Sequence, residues 1–260
     1  MDPLTLVLLA AAGGILASGK KRSRSSRAPA IKRHAVHSDE YIADTWIGAG
    51  MPGYVAVARL KSNGSRPVLV FVPERFNSNK SSRLLLYFHG FGSNISSGMH
   101  KSGRFERVAA LAMADPQTIL VMPEADDEPF SYWMNPKNGE SFTQLVSTAR
   151  DLASEVLGGR QLNVGKIQVE AHSGGGSVIS RLAKSGELFA DKLTLLDAIY
   201  PGWGKPIGEW ALSNGVPVDA IYTSDTEKHA RAAYNVAPNL VRLIPSEVHH
   251  GAVPGQYLGI

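Results

Sequence analysis

The sequence has 260 residues and contains no cysteine. This absence excludes a disulfide framework, a cysteine nucleophile and zinc sites built from thiolates, although it leaves the cellular compartment open. Long apolar runs are scarce as well, since the uncharged stretch at residues 4–18 has only 15 residues. As a helix it would reach about 22 Å, against roughly 30 Å for the hydrocarbon core of a bilayer.

Most of the chain carries no excess of positive charge, and the net positive charge comes from one short stretch. Residues 20–33 hold seven basic and no acidic side chains, and without them and Asp2 the chain has 20 basic against 22 acidic residues. A nearly neutral body disfavours nucleic acid as a partner. We expect residues 1–33 to form an apolar helix and a basic, flexible linker. Membrane association through residues 4–18 is favoured over a cleaved signal or a partner-binding helix.

The order of charge and apolar residues bears on how that segment would sit at a membrane. Positive charge follows residues 4–18 instead of preceding them, which is not the pattern of a secretory signal. If the segment inserts, its basic flank favours a body on the cytoplasmic side of the membrane.

Residues 34–260 alternate strand-like and helix-like patterns, which predicts one α/β domain with a mostly parallel central sheet flanked by helices. The apolar runs Tyr54–Leu60 and Val68–Val72 are separated by a turn sequence and predict an opening hairpin. Leu84–Phe88 is continuously apolar, as expected for a strand that is covered on both faces. A later strand is predicted over Leu193–Tyr200.

One serine stands where a predicted strand gives way to glycines and a helical pattern. Ser173 follows the run Lys166–Ala171, and the residues two before and two after it are Ala171 and Gly175. Small residues at those positions let a tight turn push the hydroxyl outward, and the pattern is one methyl group from G-x-S-x-G. The competing interpretation is a glycine-rich turn that packs closely or holds a phosphate. No Lys-Ser or Lys-Thr pair follows, which favours a nucleophilic serine.

From about residue 54 to residue 260 the chain resembles the α/β-hydrolase superfamily of esterase-like and lipase-like serine hydrolases. The resemblance rests on the Phe88–Gly92 loop, the Ala171–Gly175 turn and a late histidine loop. It implies an α/β-hydrolase fold in which the nucleophile, the acid and the histidine follow one another in that order. His250 is the favoured base, because a turn and a C-terminal cap follow it, and His249 is the alternate.

Two carboxylates fit the position of the acid. Asp197 lies in an apolar run, where an unpaired carboxylate would be costly, and this cost indicates a partner. Asp225 follows the next predicted strand, the commoner location in the superfamily, but Ser-Asp-Thr before a helix is also an ordinary N-cap. Asp197 is preferred and Asp225 remains open.

The oxyanion that forms during acyl transfer needs donors in a dry site. The resemblance assigns this role to the backbone N–H groups of Gly174 and Phe91. The remaining pocket residues are expected to be His89, Gly90, His172 and Trp133. His172 is expected to pack or line the pocket and not to act as base, because neighbouring strand side chains point to opposite faces.

No metal and no cofactor are expected, since the adjacent carboxylates Asp126, Asp127 and Glu128 lack matched ligand spacing. Together these residues predict a serine hydrolase that acts through an acyl-enzyme on Ser173, with carboxylic esters as the favoured substrate class and amides as the less favoured one. Its substrate would be a small or acylated molecule. The alternative is a non-catalytic binding or structural protein of the same fold, tethered by its N-terminus, which the departure from glycine at Ala171 leaves open.

Overall fold

The computed structural model describes the central and C-terminal parts of the chain, namely residues 53–59, 67–91, 95, 112, 114–124 and 141–257. The predictions for residues 1–33, including the apolar helix, the domain boundary and membrane association, lie outside these ranges. Within them, no helix has the length and apolarity that a membrane span requires.

An eight-stranded sheet in the order β1-β2-β4-β3-β5-β6-β7-β8 forms the centre of the fold. Strand β2 is antiparallel to both of its neighbours, and β3 to β8 run parallel to one another. The predicted opening hairpin and the mostly parallel sheet are therefore confirmed. The strands are β1 (Gly53–Arg59), β2 (Pro67–Pro73), β3 (Ser82–Phe88), β4 (Thr118–Pro123), β5 (Val164–His172), β6 (Lys192–Leu196), β7 (Val218–Tyr222) and β8 (Val241–Pro245).

Helices connect the successive parallel strands from β4 to β8, as in a βαβ architecture. Within the described ranges they are α1 (Phe142–Val156), α2 (Gly175–Ser185), α3 (Gly204–Asn214) and α4 (Glu227–Val236), and after β8 a 3₁₀ turn at His250–Ala252 leads into α5 (Val253–Tyr257). Helices α2 and α3 each end at a glycine in the left-handed conformation, Gly186 and Gly215, which satisfies their last carbonyl groups.

The hydrophobic core lies on both faces of the sheet. Strand β3 shows why, because Leu84, Leu86 and Phe88 pack into one cluster while Leu85 and Tyr87 pack into the other. A side chain on a strand alternates between faces, so a strand covered on both sides must be apolar throughout. The continuous apolar runs of the sequence follow from this burial.

The carboxyl ends of the parallel strands meet at one edge of the sheet, where α/β proteins place their ligands. Strands β5, β6 and β7 end there at His172, Leu196 and Tyr222. The predicted strand Leu193–Tyr200 was too long, because Asp197 has φ 50° and turns the chain away from the sheet. That turn leaves Asp197 at the edge instead of inside the strand.

Candidate active site

Ser173 occupies a sharp turn between β5 and α2, and its φ is 53°. An L-residue seldom adopts this left-handed conformation, and the strain is held in place by close packing of the following glycines. A Cβ atom at Gly175 would lie 2.4 Å from the Phe88 carbonyl oxygen, and one at Gly176 only 1.7 Å from that of Ala198. Both positions therefore require glycine, because any side chain there would prevent the turn from packing against β3 and the loop that follows β6.

His250 lies between Ser173 and a carboxylate. Its Nε2 accepts a hydrogen bond from Ser173 Oγ at 2.8 Å, and its Nδ1 donates to Asp197 Oδ2 at 2.6 Å. The histidine belongs to the 3₁₀ turn that follows β8, so three separate chain segments meet at this point. This geometry would let a base take the proton of a nucleophile while an acid orients the base.

Asp197 is only 1% exposed and is surrounded by donors. Its Oδ1 accepts from the Thr223 backbone N–H at 3.0 Å and from the Thr226 hydroxyl, while the Thr223 hydroxyl lies 3.1 Å from both carboxylate oxygens. Burial alone would raise the pKa of Asp197, but the hydrogen bonds from His250, Thr226 and Thr223 outweigh it and lower the pKa to about 2. The carboxylate is thus ionised at any pH near neutrality.

The two alternates from the sequence lie elsewhere. Asp225 and His249 are both exposed, and within the described ranges no hydrogen bond joins either of them to Ser173 or to the Asp197–His250 pair. Thr226 does precede α4 at the N-cap position, but its side chain makes no capping hydrogen bond and instead donates to Asp197. Ser-Asp-Thr also fits an ordinary N-cap, and the pattern gave no sign that Thr226 would bond to Asp197 instead.

The two other histidines near the turn are buried, and each donates a hydrogen bond to a backbone carbonyl oxygen. The Nε2–H of His172 donates to the carbonyl oxygen of His250 at 3.2 Å, and the two rings stack with centroids 4.9 Å apart. The Nδ1–H of His89 donates to the carbonyl oxygen of Gly90 at 2.9 Å. His172 therefore positions the segment that carries His250. Trp133, the remaining predicted pocket residue, lies outside the described ranges.

The loop after β3 lies against the start of α2. A Cβ atom at Gly174 would be 3.3 Å from the backbone nitrogen of Phe91, and one at Gly90 would be 2.9 Å from Ser173 Cβ. In the turns and loops that the structure describes, neither the Phe91 nor the Gly174 N–H donates to a backbone acceptor. Two backbone donors thus lie beside the serine, next to the positive end of the α2 dipole.

Tyr200 is a further residue beside the serine, and the sequence did not predict it. Burial raises the pKa of Tyr200, and the nearby Ser173 side chain partly offsets that rise. The Tyr200 ring also lies edge-on to His250, with centroids 6.4 Å apart. Its place three residues after Asp197, in the loop that leaves β6, was the only signal in the sequence.

A groove of about 500 Å³ opens beside Tyr200. It is lined by one side of α2 and by the loop after β6, through Ser177, Ser180, Arg181, Tyr200, Pro201 and Trp203. Its size is within the range of small-molecule sites. Elsewhere in the described ranges, no group of three or more histidine, aspartate or glutamate side chains could hold a metal ion. Asp126, Asp127 and Glu128 lie outside those ranges.

No family model and no curated protein sequence matches this chain. Solved structures do resemble it. A ferulic acid esterase has a TM-score of 0.55 at 16% identity, covering 80% of this chain and 95% of its own. Poly(aspartic acid) hydrolase-1 from Sphingomonas sp. KT-1 has a TM-score of 0.55 at 14% identity, covering 80% and 97% of the two chains. A cold-adapted esterase from an Arctic intertidal metagenomic library has a TM-score of 0.54 at 15% identity, covering 79% and 89%. With this sheet order and a serine in the turn after β5, the chain has the α/β-hydrolase fold.

Proposed function

We propose that this protein is a serine hydrolase that cleaves carboxylic esters through an acyl-enzyme formed on Ser173. The observation that carries the proposal is the continuous hydrogen-bond chain from Ser173 through His250 to Asp197, with heavy-atom distances of 2.8 and 2.6 Å. A serine hydroxyl is a weak nucleophile at neutral pH unless a base removes its proton and an acid orients that base.

Acylation begins when Ser173 Oγ attacks the ester carbonyl carbon and its proton passes to His250 Nε2. Asp197 stays ionised, accepts from Nδ1–H and stabilises the imidazolium that forms. The carbonyl electrons move onto oxygen, and the backbone N–H groups of Phe91 and Gly174 donate to this oxyanion. When the tetrahedral intermediate collapses, the bond to the alcohol oxygen breaks and His250 gives that oxygen its proton.

Deacylation repeats these steps with water as the nucleophile. His250 Nε2 takes a proton from the water as its oxygen attacks the acyl carbon, and the same backbone groups hold the oxyanion. The proton returns to Ser173 Oγ as the acyl bond breaks. The products are a carboxylic acid and regenerated enzyme, and no further reactant is needed.

The solved structures support the class of reaction. They are a ferulic acid esterase, a cold-adapted esterase and a poly(aspartic acid) hydrolase, so ester cleavage is the commoner activity among them. We therefore propose esters as the main substrates and amides as poorer ones. We propose that the groove of about 500 Å³ beside Tyr200 receives part of such an ester.

The alternative function, a non-catalytic protein of this fold, does not require a working base. A His250 ring turned away from Ser173 would favour it, whereas the observed Oγ–Nε2 distance is 2.8 Å. Stored backbone strain at Ser173, with φ 53°, is likewise typical of a functional position. Both observations argue for catalysis.

A fluorophosphonate probe tests the proposal, because it labels only an activated serine. We expect the full chain to be labelled and to hydrolyse short acyl esters, and Ser173→Ala to lose both activities. Ser185→Ala is the matched control, since Ser185 is exposed at the far end of α2. A folded native protein that neither labels nor hydrolyses any ester of a broad acyl series would contradict the proposal.

A further inference from the structure

Tyr200 is fixed by the same turn that positions Asp197. The chain leaves β6 through the positive φ of Asp197, and the Tyr200 carbonyl then accepts from Trp203 N–H at 3.1 Å. The Tyr200 ring packs edge-on against Trp203, with centroids 5.3 Å apart, and lies edge-on to His250 on its other side. The Tyr200 ring is thus held between the rings of Trp203 and His250.

The Tyr200 side chain lies near Ser173 and edge-on to His250, so its hydroxyl group can reach the reacting atoms without taking the place of the base. A serine hydroxyl has one hydrogen to donate and two lone pairs that accept. The hydrogen of Ser173 points to His250 Nε2, so the hydroxyl of Tyr200 can donate to a lone pair of the same oxygen. Half-burial raises the pKa of Tyr200, so it keeps its proton near neutral pH and remains a donor.

Tyr200 and the two backbone donors flank the serine from opposite sides. Strand β5 lies between β3 and β6 in the sheet. Phe91 follows β3, whereas Tyr200 follows β6. Because His250 gives its proton to the alcohol oxygen of a bound ester, that oxygen faces His250, and Tyr200 lies beside His250.

We propose that Tyr200 is a further catalytic residue, whose hydroxyl donates a hydrogen bond to the alcohol oxygen as it leaves and to the water oxygen as it enters. This inference rests on the proposed function. Tyr200 keeps its proton throughout, and His250 carries the transferred proton. The donor stabilises negative charge on the leaving oxygen, so its effect is largest where that charge is greatest.

This role defines a substrate class. An alkyl alcohol is a poor leaving group and carries much charge on its oxygen when the carbon–oxygen bond breaks. A p-nitrophenol spreads the charge over its ring and needs less help. We therefore infer that esters of unactivated alcohols are the preferred substrates, because Tyr200 lowers the barrier to the departure of the alcohol.

Comparing leaving groups on one acyl chain tests the inference. In Tyr200→Phe, kcat/KM for ethyl or benzyl butyrate should fall roughly 10- to 100-fold, since a hydrogen bond to a charged group is lost. For p-nitrophenyl butyrate the fall should be less than about threefold. The parameter kcat/KM is used because it reports acylation, in which the alcohol leaves. Tyr234→Phe, on the exposed side of α4, should change neither value.

The outcomes separate this inference from the proposed function. Equal losses on both kinds of ester would indicate a structural role and overturn the inference, as would no loss on either, while Ser173-dependent labelling would keep the proposed function intact. An unlabelled and inactive wild type would overturn both. If Tyr200→Phe does not fold, the wild type is tested with a series of esters that differ in the pKa of the leaving alcohol. A shallow dependence of kcat/KM on that pKa supports the inference, and a steep dependence overturns it.

Discussion

Ser173 and Asp197 share a backbone conformation that no other described non-glycine residue adopts, with φ values of 53° and 50°. Each follows directly on a parallel strand, β5 or β6, and the two strands are neighbours in the sheet. The left-handed turn at each position points the side chain out of the sheet edge, where His250 bonds to both. Strain of this kind persists only where the surrounding packing enforces it, which is why it clusters at functional sites.

Asp197→Asn tests which carboxylate orients the histidine. An amide cannot stabilise the imidazolium and favours the wrong tautomer of His250, so kcat should fall about 1,000-fold or more. Asp225→Asn is the matched control and should remain within about twofold of wild type, because Asp225 is exposed. The measurement is hydrolysis of a p-nitrophenyl ester by folded protein. A larger loss in Asp225→Asn than in Asp197→Asn would contradict the assignment.

His250→Gln and His249→Gln separate the two late histidines. The first variant removes the base that lies 2.8 Å from Ser173 Oγ, and we expect esterase activity and fluorophosphonate labelling to drop at least about 1,000-fold. The second alters an exposed side chain and should leave both within a few fold. Retained labelling in His250→Gln would show that another group activates the serine.

Thr226→Val removes a hydroxyl that donates to Asp197 while keeping the shape of the side chain. With one donor fewer, the pKa of Asp197 should rise from about 2. We expect kcat to fall roughly 10-fold, because the carboxylate that orients His250 has lost one hydrogen bond. Thr226→Ser retains the hydroxyl and should restore most of the activity. The pH dependence of kcat and the rates of the three proteins are the readout. Equal rates for the valine and serine variants would exclude this role.

Glu170→Gln should change how stability depends on pH. Glu170 is 2% exposed, its Oε2 lacks a hydrogen-bond partner in the described structure, and burial raises its pKa from 4.5 to about 7. Between those values the folded state holds a proton that the unfolded state has lost, so wild-type stability should fall as pH rises from about 4.5 to 7.

The neutral amide of Glu170→Gln does not titrate, so the variant should lack this decline. At pH 8 we expect it to be more stable than wild type by up to roughly 3 kcal/mol, and close to wild type at pH 4.5. Urea unfolding at several pH values measures both proteins. Glu74→Gln, at an exposed position, is the control. A wild type whose stability rises between pH 5 and 7 by more than that of Glu170→Gln would contradict the prediction.

Much of the fold could be predicted because it depends on local patterns. The continuous apolar run at Leu84–Phe88 reflects burial on both sheet faces, and the small residues Ala171 and Gly175 reflect the tight turn at Ser173. The position of His250 after the last strand was predicted from the chain order that the resemblance to α/β-hydrolases implies. The limits of β6 were missed, because Asp197 and the residues after it continue the apolar pattern while the backbone has already turned.

The sequence by itself determined the class of fold, the serine in the turn and a short set of candidate partners, because strand burial and turn sterics act over a few neighbouring residues. Only the tertiary structure decided that Asp197 and not Asp225 contacts His250. Both acids follow strands that end at the same sheet edge, and the contact depends on where each loop turns. The same holds for Thr223, Thr226 and Tyr200, whose hydroxyl groups meet the site only because distant segments converge there.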